Sequence, residues 1–329
     1  MKEAAEYRAV RTAVGCLDRS SRAWLALTGP DRVAFLHNLC SNDIKTLAPH
    51  HGCYTFLLNA QGKIQADLWV WPLDEAHLLE TDRDQLPMVQ SWLEKYLITE
   101  QVAITDRRQA YAAMAIQGPQ SGALLASLCG REPGLEPWQH ATITVHDHPV
   151  DVMRVSVTGE DGYQLLVEPP ERRPMWEQLV RLGAVPVSHP TLEVLRIEAG
   201  MPKFGVDMGP ETLMPETGLT HAVSYTKGCY LGQEIVERVR TQGQVQRRLL
   251  GLRLQGDLVP GRGAVCRTLG REAGAVTSAV FSPHLQQPIA LAYLHRSVEL
   301  GQIVTVELPN NSAALAEAVA LPFYKSKNN

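Results

Sequence analysis

The sequence predicts an α+β chain over roughly its first 245 residues, followed by a small all-β domain. Two observations carry this. Up to about residue 245, short strand-like apolar runs alternate with helix-spaced apolar positions and with extended pairs around Gly-containing turns. From Arg248 onward the pattern changes to short apolar runs at 249–254, 275–281, 289–294 and 303–308, separated by Gly and Pro as in a barrel or sandwich. The boundary divides the chain into 1–245 and 246–329.

The elements follow in order. Residues 23–28 read as a strand, and Gly29-Pro30-Asp31 turns into a helix whose Val33, Leu36 and Cys40 recur at helical spacing. Residues 54–58 and 63–71 form a hairpin about the turn Asn59-Ala60-Gln61-Gly62, and 76–80 add a third strand. Leu86, Val89, Leu93 and Leu97 mark an amphipathic helix. Strand character returns at 102–105 and 110–116, and a helix is expected over 118–128. Strands at 143–145, 150–157 and 163–167 precede a helix at 172–182. A further helix at 189–199 starts near Pro190 and ends with Gly200 placed at its C′ position. A short helix is expected at 232–240, and the polar end 324–329 is expected to fray.

Bulk composition excludes several classes. The chain has 329 residues, 45% hydrophobic and 20% charged, as in a water-soluble globular protein. No apolar run approaches the roughly 20 residues that cross a bilayer. The first residues mix acids and bases without an apolar signal core, so the reading is cytoplasmic. A formal net charge of −4 argues against a general nucleic-acid coat, and direct RNA binding is not expected. The six cysteines (Cys16, Cys40, Cys53, Cys129, Cys229 and Cys266) form no CxxC pair, so no chain-borne cluster, stable metal or disulfide framework is predicted.

The densest stretch is Lys227-Gly228-Cys229-Tyr230-Leu231-Gly232-Gln233-Glu234. Its glycines allow a tight backbone, and Cys229 lies just before a helix start and two residues from Lys227. Both neighbours favour a thiolate, which makes Cys229 a candidate reactive thiol. The plain alternative is an inert cysteine in a loop packed between domains. Residues 220–253 carry six Lys/Arg against two Glu, a local basic stretch able to meet an acidic tail, an acidic partner or RNA, or merely a solvated face. His146-Asp147-His148 places two histidines on one side of an extended segment, without further ligands nearby. Trp69 and Trp71 alternate on their strand and read as core or pocket wall.

Residues 227–234 resemble the KGCYxGQE signature of the YgfZ family of folate-binding proteins, a branch of the aminomethyltransferase (glycine-cleavage T-protein) superfamily. Leu195-Arg196-Ile197-Glu198-Ala199-Gly200-Met201-Pro202 resembles the LRxEAGxP stretch of that superfamily, and Pro215-Glu216-Thr217-Gly218-Leu219 its PxExGL. Thr158-Gly159-Glu160-Asp161-Gly162-Tyr163 is similar to TGEDGxE, and 25–43 to the opening strand and helix. Residues 274–283 with 289–294 resemble the TSxxxSP segment and following strand of the C-terminal barrel. The likeness runs in order along nearly the whole chain.

The resemblance implies a T-protein-like fold, with two interleaved α+β subdomains and a C-terminal barrel arranged around a central folate cavity. It implies a tetrahydrofolate-binding accessory protein for synthesis or repair of iron–sulfur enzymes, including cluster-dependent tRNA modification. Iron–sulfur enzymes or assembly proteins would be its partners. The alternative it leaves open is a tetrahydrofolate-dependent aminomethyltransferase or demethylase. Gly62-Lys63-Ile64-Gln65-Ala66-Asp67-Leu68 is similar to the family's GxxxxDL segment and places Asp67 at the folate and one-carbon transfer site. Glu160 is expected to grip the pterin through paired hydrogen bonds. Cys229 is the expected essential thiol, tuned by Lys227. Gly228 and Gly232 shape the loop, and Tyr230, Gln233, Glu234 and Arg196 are expected beside the cofactor. One departure is Leu192, which stands where aminomethyltransferases carry an arginine four residues before the Arg of LRxEAG.

Overall fold

The computed structural model describes residues 2–131, 133–243, 245–309 and 312–326. Helix α1 (Lys2–Thr12) leads into β1 (Gly15–Asp18), β2 (Arg22–Thr28) and α2 (Arg32–Leu39). Then come β3 (Cys53–Leu58), β4 (Ile64–Pro72), β5 (Ala76–Asp82), α3 (Leu86–Lys95), β6 (Ala103–Asp106), β7 (Ala112–Gln117) and α4 (Ser121–Cys129). The next group is β8 (His140–Val145), β9 (His148–Arg154), β10 (Gly162–Val167), α5 (Arg172–Arg181), β11 (Val185–Val187) and α6 (His189–Glu198). After α7 (Gln233–Gln242) the chain is all-β: β12 (Arg247–Leu254), β13 (Val265–Thr268), β14 (Arg271–Ser282), β15 (Gln287–His295), β16 (Ile303–Glu307) and β17 (Ala313–Val319).

Two open sheets and one closed barrel result. One sheet runs β3-β4-β5-β2-β6, the other β11-β1-β7-β10-β9-β8, and the last six strands close in the order β12-β15-β14-β13-β16-β17. The period-2 alternation of side chains explains how the open sheets stack. On β2, Ala23, Leu25 and Leu27 pack beneath Leu36 of α2 and Val89 of α3. The intervening Trp24 faces the other way, into a layer with Trp71, Leu78, Ala113, Met153 and Leu166 drawn from both sheets. The second sheet buries its far face under Leu125 of α4 and Leu179 of α5. Helices therefore lie outside and two sheets meet inside across a tryptophan-rich seam. The barrel closes on its own core and docks on α6, where Ile197 packs against Leu249, Ile289, Leu291 and Phe323.

The expected α+β region and C-terminal barrel are both present. Five of the helices and strands have no counterpart in the sequence reading: α1, β1, the three-residue β11, and the barrel strands β13 and β17. Helix α1 has a polar face that is buried nonetheless. Glu6 is 2% exposed and accepts hydrogen bonds from the Ser188 backbone (2.9 Å), the Ser188 hydroxyl and Thr191 Oγ1 (2.8 Å), so it caps the start of α6. Burial pushes the Glu6 carboxyl up, but these donors outweigh it and hold it below its ordinary value. The chain end does not fray where it is described: the Tyr324 N–H donates to the Glu198 carbonyl at 2.9 Å, and residues 327–329 lie outside the described residues. No helix among the described residues is long and apolar enough to cross a membrane.

Candidate functional site

Strand β4 builds the site by alternation. Ala66, Leu68 and Val70 point under α2 and α3, so Asp67 and Trp69 must point inward, between the sheets. There they line a cavity of about 370 Å³, within the usual range for small-molecule sites. Tyr54, Trp138 and Phe204 add aromatic wall, and the α6 side supplies Leu192, Glu193 and Arg196. The rings are set by packing: Trp69 meets Trp138 edge-on at 5.7 Å, and Trp71 stacks on Trp138 at 5.7 Å.

Asp67 is one of four carboxylates that line this cavity, with Asp18, Asp82 and Glu193. Tyr54 Oη donates to its Oδ2 at 3.0 Å, while Oδ1 is buried without a hydrogen-bond partner. Burial raises its pKa, Arg22 opposes the rise, Asp82 adds to it, and the Tyr54 hydrogen bond opposes it; the net shift is upward. A carboxyl so placed can take or return a proton at an amine bound against it.

Beside Asp67 lies a charged cluster whose centre is Glu80, 0% exposed. Glu80 accepts from Arg22 Nε (2.8 Å) and Gln164 Nε2 (2.6 Å) and pairs with Arg19 Nη2 at 3.7 Å. Arg22 Nη1 reaches Asp82 Oδ1 at 2.9 Å. Both guanidiniums lie over the Trp69 ring, at 5.6 Å for Arg19 and 5.4 Å for Arg22. Burial, reinforced by the neighbouring Arg22 charge, pulls the Arg19 pKa down to about 10. For Arg22 burial acts the same way, but Glu80 and Asp82 outweigh it and raise the pKa.

The expected site residues separate into two groups. Asp67 and Arg196 line the cavity; Glu160, Lys227, Gly228, Cys229, Tyr230, Gly232, Gln233 and Glu234 do not. Glu160 is 2% exposed and spent on Arg11, whose Nη1 donates to its Oε1 at 3.0 Å. Arg11 also donates to Glu198 Oε2 at 2.7 Å and lies 3.7 Å from the Tyr324 ring centre. This group ties α1, the 158–163 turn, α6 and the last described segment together. Arg196 faces the cavity, but its donors go to Glu193 (2.8 Å), Asp207 (2.8 Å), the Met201 carbonyl (3.1 Å) and Ser278 of β14 (2.9 Å).

The 227–234 segment is a structural joint. Lys227 Nζ donates to the carbonyls of His37, Cys40 and Asn42, the last two at 2.7 Å. Those of His37 and Cys40 are open carbonyls at the end of α2 and that of Asn42 lies just beyond it; together they use all three ammonium donors, leaving none for Cys229. Burial holds the Lys227 pKa below its ordinary value. Cys229 is exposed, while Tyr230 packs in a core with Phe56, Leu58 and Met214. Gln233 Oε1 accepts the Tyr230 N–H at 3.0 Å, and Glu234 is exposed. Gly232 has φ +85°, and a Cβ there would sit 2.5 Å from the Asn59 carbonyl oxygen, so helix α7 can approach the β3–β4 turn only through glycine.

The His146–His148 segment is the β8–β9 turn, with His148 Nε2 3.8 Å from Glu171 Oε1. No group of three or more His, Cys, Asp or Glu side chains suited to a metal forms among the described residues. The sequence reading missed Arg19, Arg22, Tyr54, Asp82 and Trp138. Tyr54 and Asp82 carried the same alternation signal as Asp67. Arg19 and Arg22 went unread, because nothing local announces a buried carboxylate 58 positions beyond Arg22.

Two family profiles match the chain: the GCVT N-terminal domain over residues 2–227, and the glycine cleavage T-protein C-terminal barrel domain over residues 247–325. An aminomethyltransferase of Synechococcus sp. (strain RCC307) is 33% identical over 330 residues, covering 98% of this chain and 90% of that protein. One from Nostoc sp. (strain PCC 7120 / SAG 25.82 / UTEX 2576) is 33% identical over 339 residues, covering 98% and 88%. The crystal structure of glycine cleavage system aminomethyltransferase T from Bartonella henselae superposes with a TM-score of 0.89 at 26% identity, covering 98% of this chain and 90% of that one. These relatives overturn the expected iron–sulfur accessory role. Its physical support fails as well, since the Lys227 ammonium is committed to backbone carbonyls and neither it nor Cys229 faces the cavity.

Proposed function

This chain belongs to the glycine cleavage T-protein superfamily, and from that premise we propose that it is a tetrahydrofolate-dependent aminomethyltransferase. The observation that carries the reading is Asp67: a buried carboxyl, one oxygen anchored by Tyr54 and the other unpartnered, in an aromatic cavity between two sheets. The cavity fits the group. It has flat walls for a heteroaromatic ring and polar atoms that the protein itself leaves unmatched. Bound tetrahydrofolate supplies the amine that accepts the one-carbon unit. Trp69, Trp138 and Phe204 exclude water and orient the ring. Asp67 would hold or remove the proton of the reacting amine, while the Tyr54 hydrogen bond keeps the carboxyl from rotating. Leu192 removes one polar contact from the wall, so this cavity recognises the same ligand class through a different set of groups.

The reading is tested by calorimetric titration with tetrahydrofolate, followed by an assay of tetrahydrofolate-dependent ammonia release from an aminomethyl donor on the lipoyl arm of a glycine cleavage carrier protein. Micromolar binding, on the order of −8 kcal/mol, with turnover lost in Asp67→Asn, is expected. Turnover that survives Asp67→Asn, or no tetrahydrofolate affinity, refutes it.

A further inference from the structure

Three arginines reach the cavity, and their donors are not in the same condition. Arg196 is satisfied, its N–H groups spent on Glu193, Asp207, Met201 and Ser278. Arg19 is 9% exposed yet makes one long hydrogen bond, from Nε to Gln164 Oε1 at 3.4 Å, and one loose ion pair with Glu80 at 3.7 Å. Its other N–H groups have no partner among the described residues. Beside it, Arg22 is 6% exposed and its Nη2 is buried without a partner. A buried guanidinium with idle donors is costly unless something completes it.

We propose that Arg19, backed by Arg22, recognises the carbonyl edge of a flat, neutral lactam ring whose neighbouring N–H faces Asp67. The inference rests on the aminomethyltransferase reading and names which edge of the pterin this chain reads. Charge decides between a carbonyl and an anion. Glu80 and Asp82 already match the two guanidiniums, and Asp67 adds a third carboxyl, so an anionic group would enter a cluster with no spare positive charge. A neutral acceptor meets no such penalty and fills the idle donors. The acceptor needed by Arg19 and the donor needed by Asp67 fall on one side of the cavity: Arg22 acts electrostatically on Asp67, and both guanidiniums lie over Trp69, two positions along the strand from Asp67. A reduced pterin presents that pair, its C4 carbonyl being flanked by ring N–H groups. Both guanidiniums lie over the Trp69 ring, 5.6 and 5.4 Å from its centre, which limits how far they can turn.

The test compares tetrahydrofolate with its 4-amino analogue, in which the acceptor oxygen is replaced by a donor. The wild-type protein is expected to bind the 4-oxo form roughly 10- to 100-fold more tightly. Arg19→Met should abolish that preference, and Arg19→Lys should restore part of it. A wild-type protein that binds both forms alike, or an Arg19→Met variant that keeps the preference, overturns the inference and leaves the aminomethyltransferase reading standing. The wild-type ratio needs no variant to fold. If the wild-type protein binds neither form, both readings fall.

Discussion

The Tyr54 hydroxyl donates to Asp67 Oδ2 at 3.0 Å, so one carboxyl oxygen is fixed while Oδ1 is buried without a hydrogen-bond partner. Asp67→Asn keeps the shape and removes the proton acceptor. Turnover should fall about 10²- to 10⁴-fold while tetrahydrofolate still binds. Because the fold raises the Asp67 pKa, ionised Asp67 is a destabilising element above that pKa, and the penalty is relieved as pH falls through it toward 3.8. The Asn variant should therefore melt no lower than wild type at neutral pH. A lower Tm would show that the charge is structural.

The same carboxyl sets the acid side of the pH profile. A proton acceptor loses activity as pH falls through its folded-state pKa, so the acid limb of kcat/KM should lie above the ordinary Asp value of 3.8. Tyr54 favours the ionised form. Tyr54→Phe should move that limb to higher pH and change the plateau less than about tenfold. A limb that stays in place removes Tyr54 from the proton chemistry.

Glu160 and Arg11 predict stability without affinity. Their side chains are 3% and 8% exposed, and breaking a buried pair strands the remaining charge. Arg11 keeps Glu198, which places the cost of Glu160→Ala near about 3 kcal/mol in urea unfolding. The tetrahydrofolate Kd of the folded fraction should match wild type. A raised Kd would return Glu160 to the binding site.

Lys227 and Cys229 should part company. Lys227→Met strips three backbone carbonyls at and just beyond the end of α2 of their donors and should cost about 2–4 kcal/mol. Cys229→Ala, at an exposed position, should change unfolding free energy by less than about 0.5 kcal/mol. Retention of full turnover by Cys229→Ala completes the prediction, and loss of it would restore a chemical role to the thiol.

Gly232→Ala tests the joint between α7 and the β3–β4 turn. The added methyl meets the Asn59 carbonyl at 2.5 Å in a left-handed backbone, so a loss of about 1–3 kcal/mol is expected. The turn leads directly into β4, so affinity for tetrahydrofolate should fall with stability. Full affinity in the variant would uncouple the joint from the cavity.

Strands and amphipathic helices were legible because their information is local. The apolar pattern marked 63–71 as a strand, the likeness of 62–68 to the family's GxxxxDL segment picked out Asp67, and spacing placed Leu86, Val89 and Leu93 on one face of α3. Partners chosen across the fold were not. Arg11 meets Glu160 and Glu198 at separations of 149 and 187 residues, and no window of sequence records that choice. Helix α1 was unread for the same reason, since its buried face is polar and is satisfied by Ser188 and Thr191 rather than by apolar contact. The 227–234 octapeptide was conspicuous through its glycines and cysteine, yet Gly232 serves a close packing contact and a Cβ at Gly228 would meet nothing within 4 Å.

Arg196 joins the cavity wall to the barrel: one guanidinium holds Glu193 on α6 and Ser278 on β14. Opening the barrel edge and loosening the wall are then parts of one cooperative event. A ligand bound only by the closed wall must, by mass action, make that event rarer. Saturating tetrahydrofolate should slow amide hydrogen exchange along β14, although none of the described barrel residues lines the cavity. Anything that grips the barrel would tighten folate binding by the same free energy.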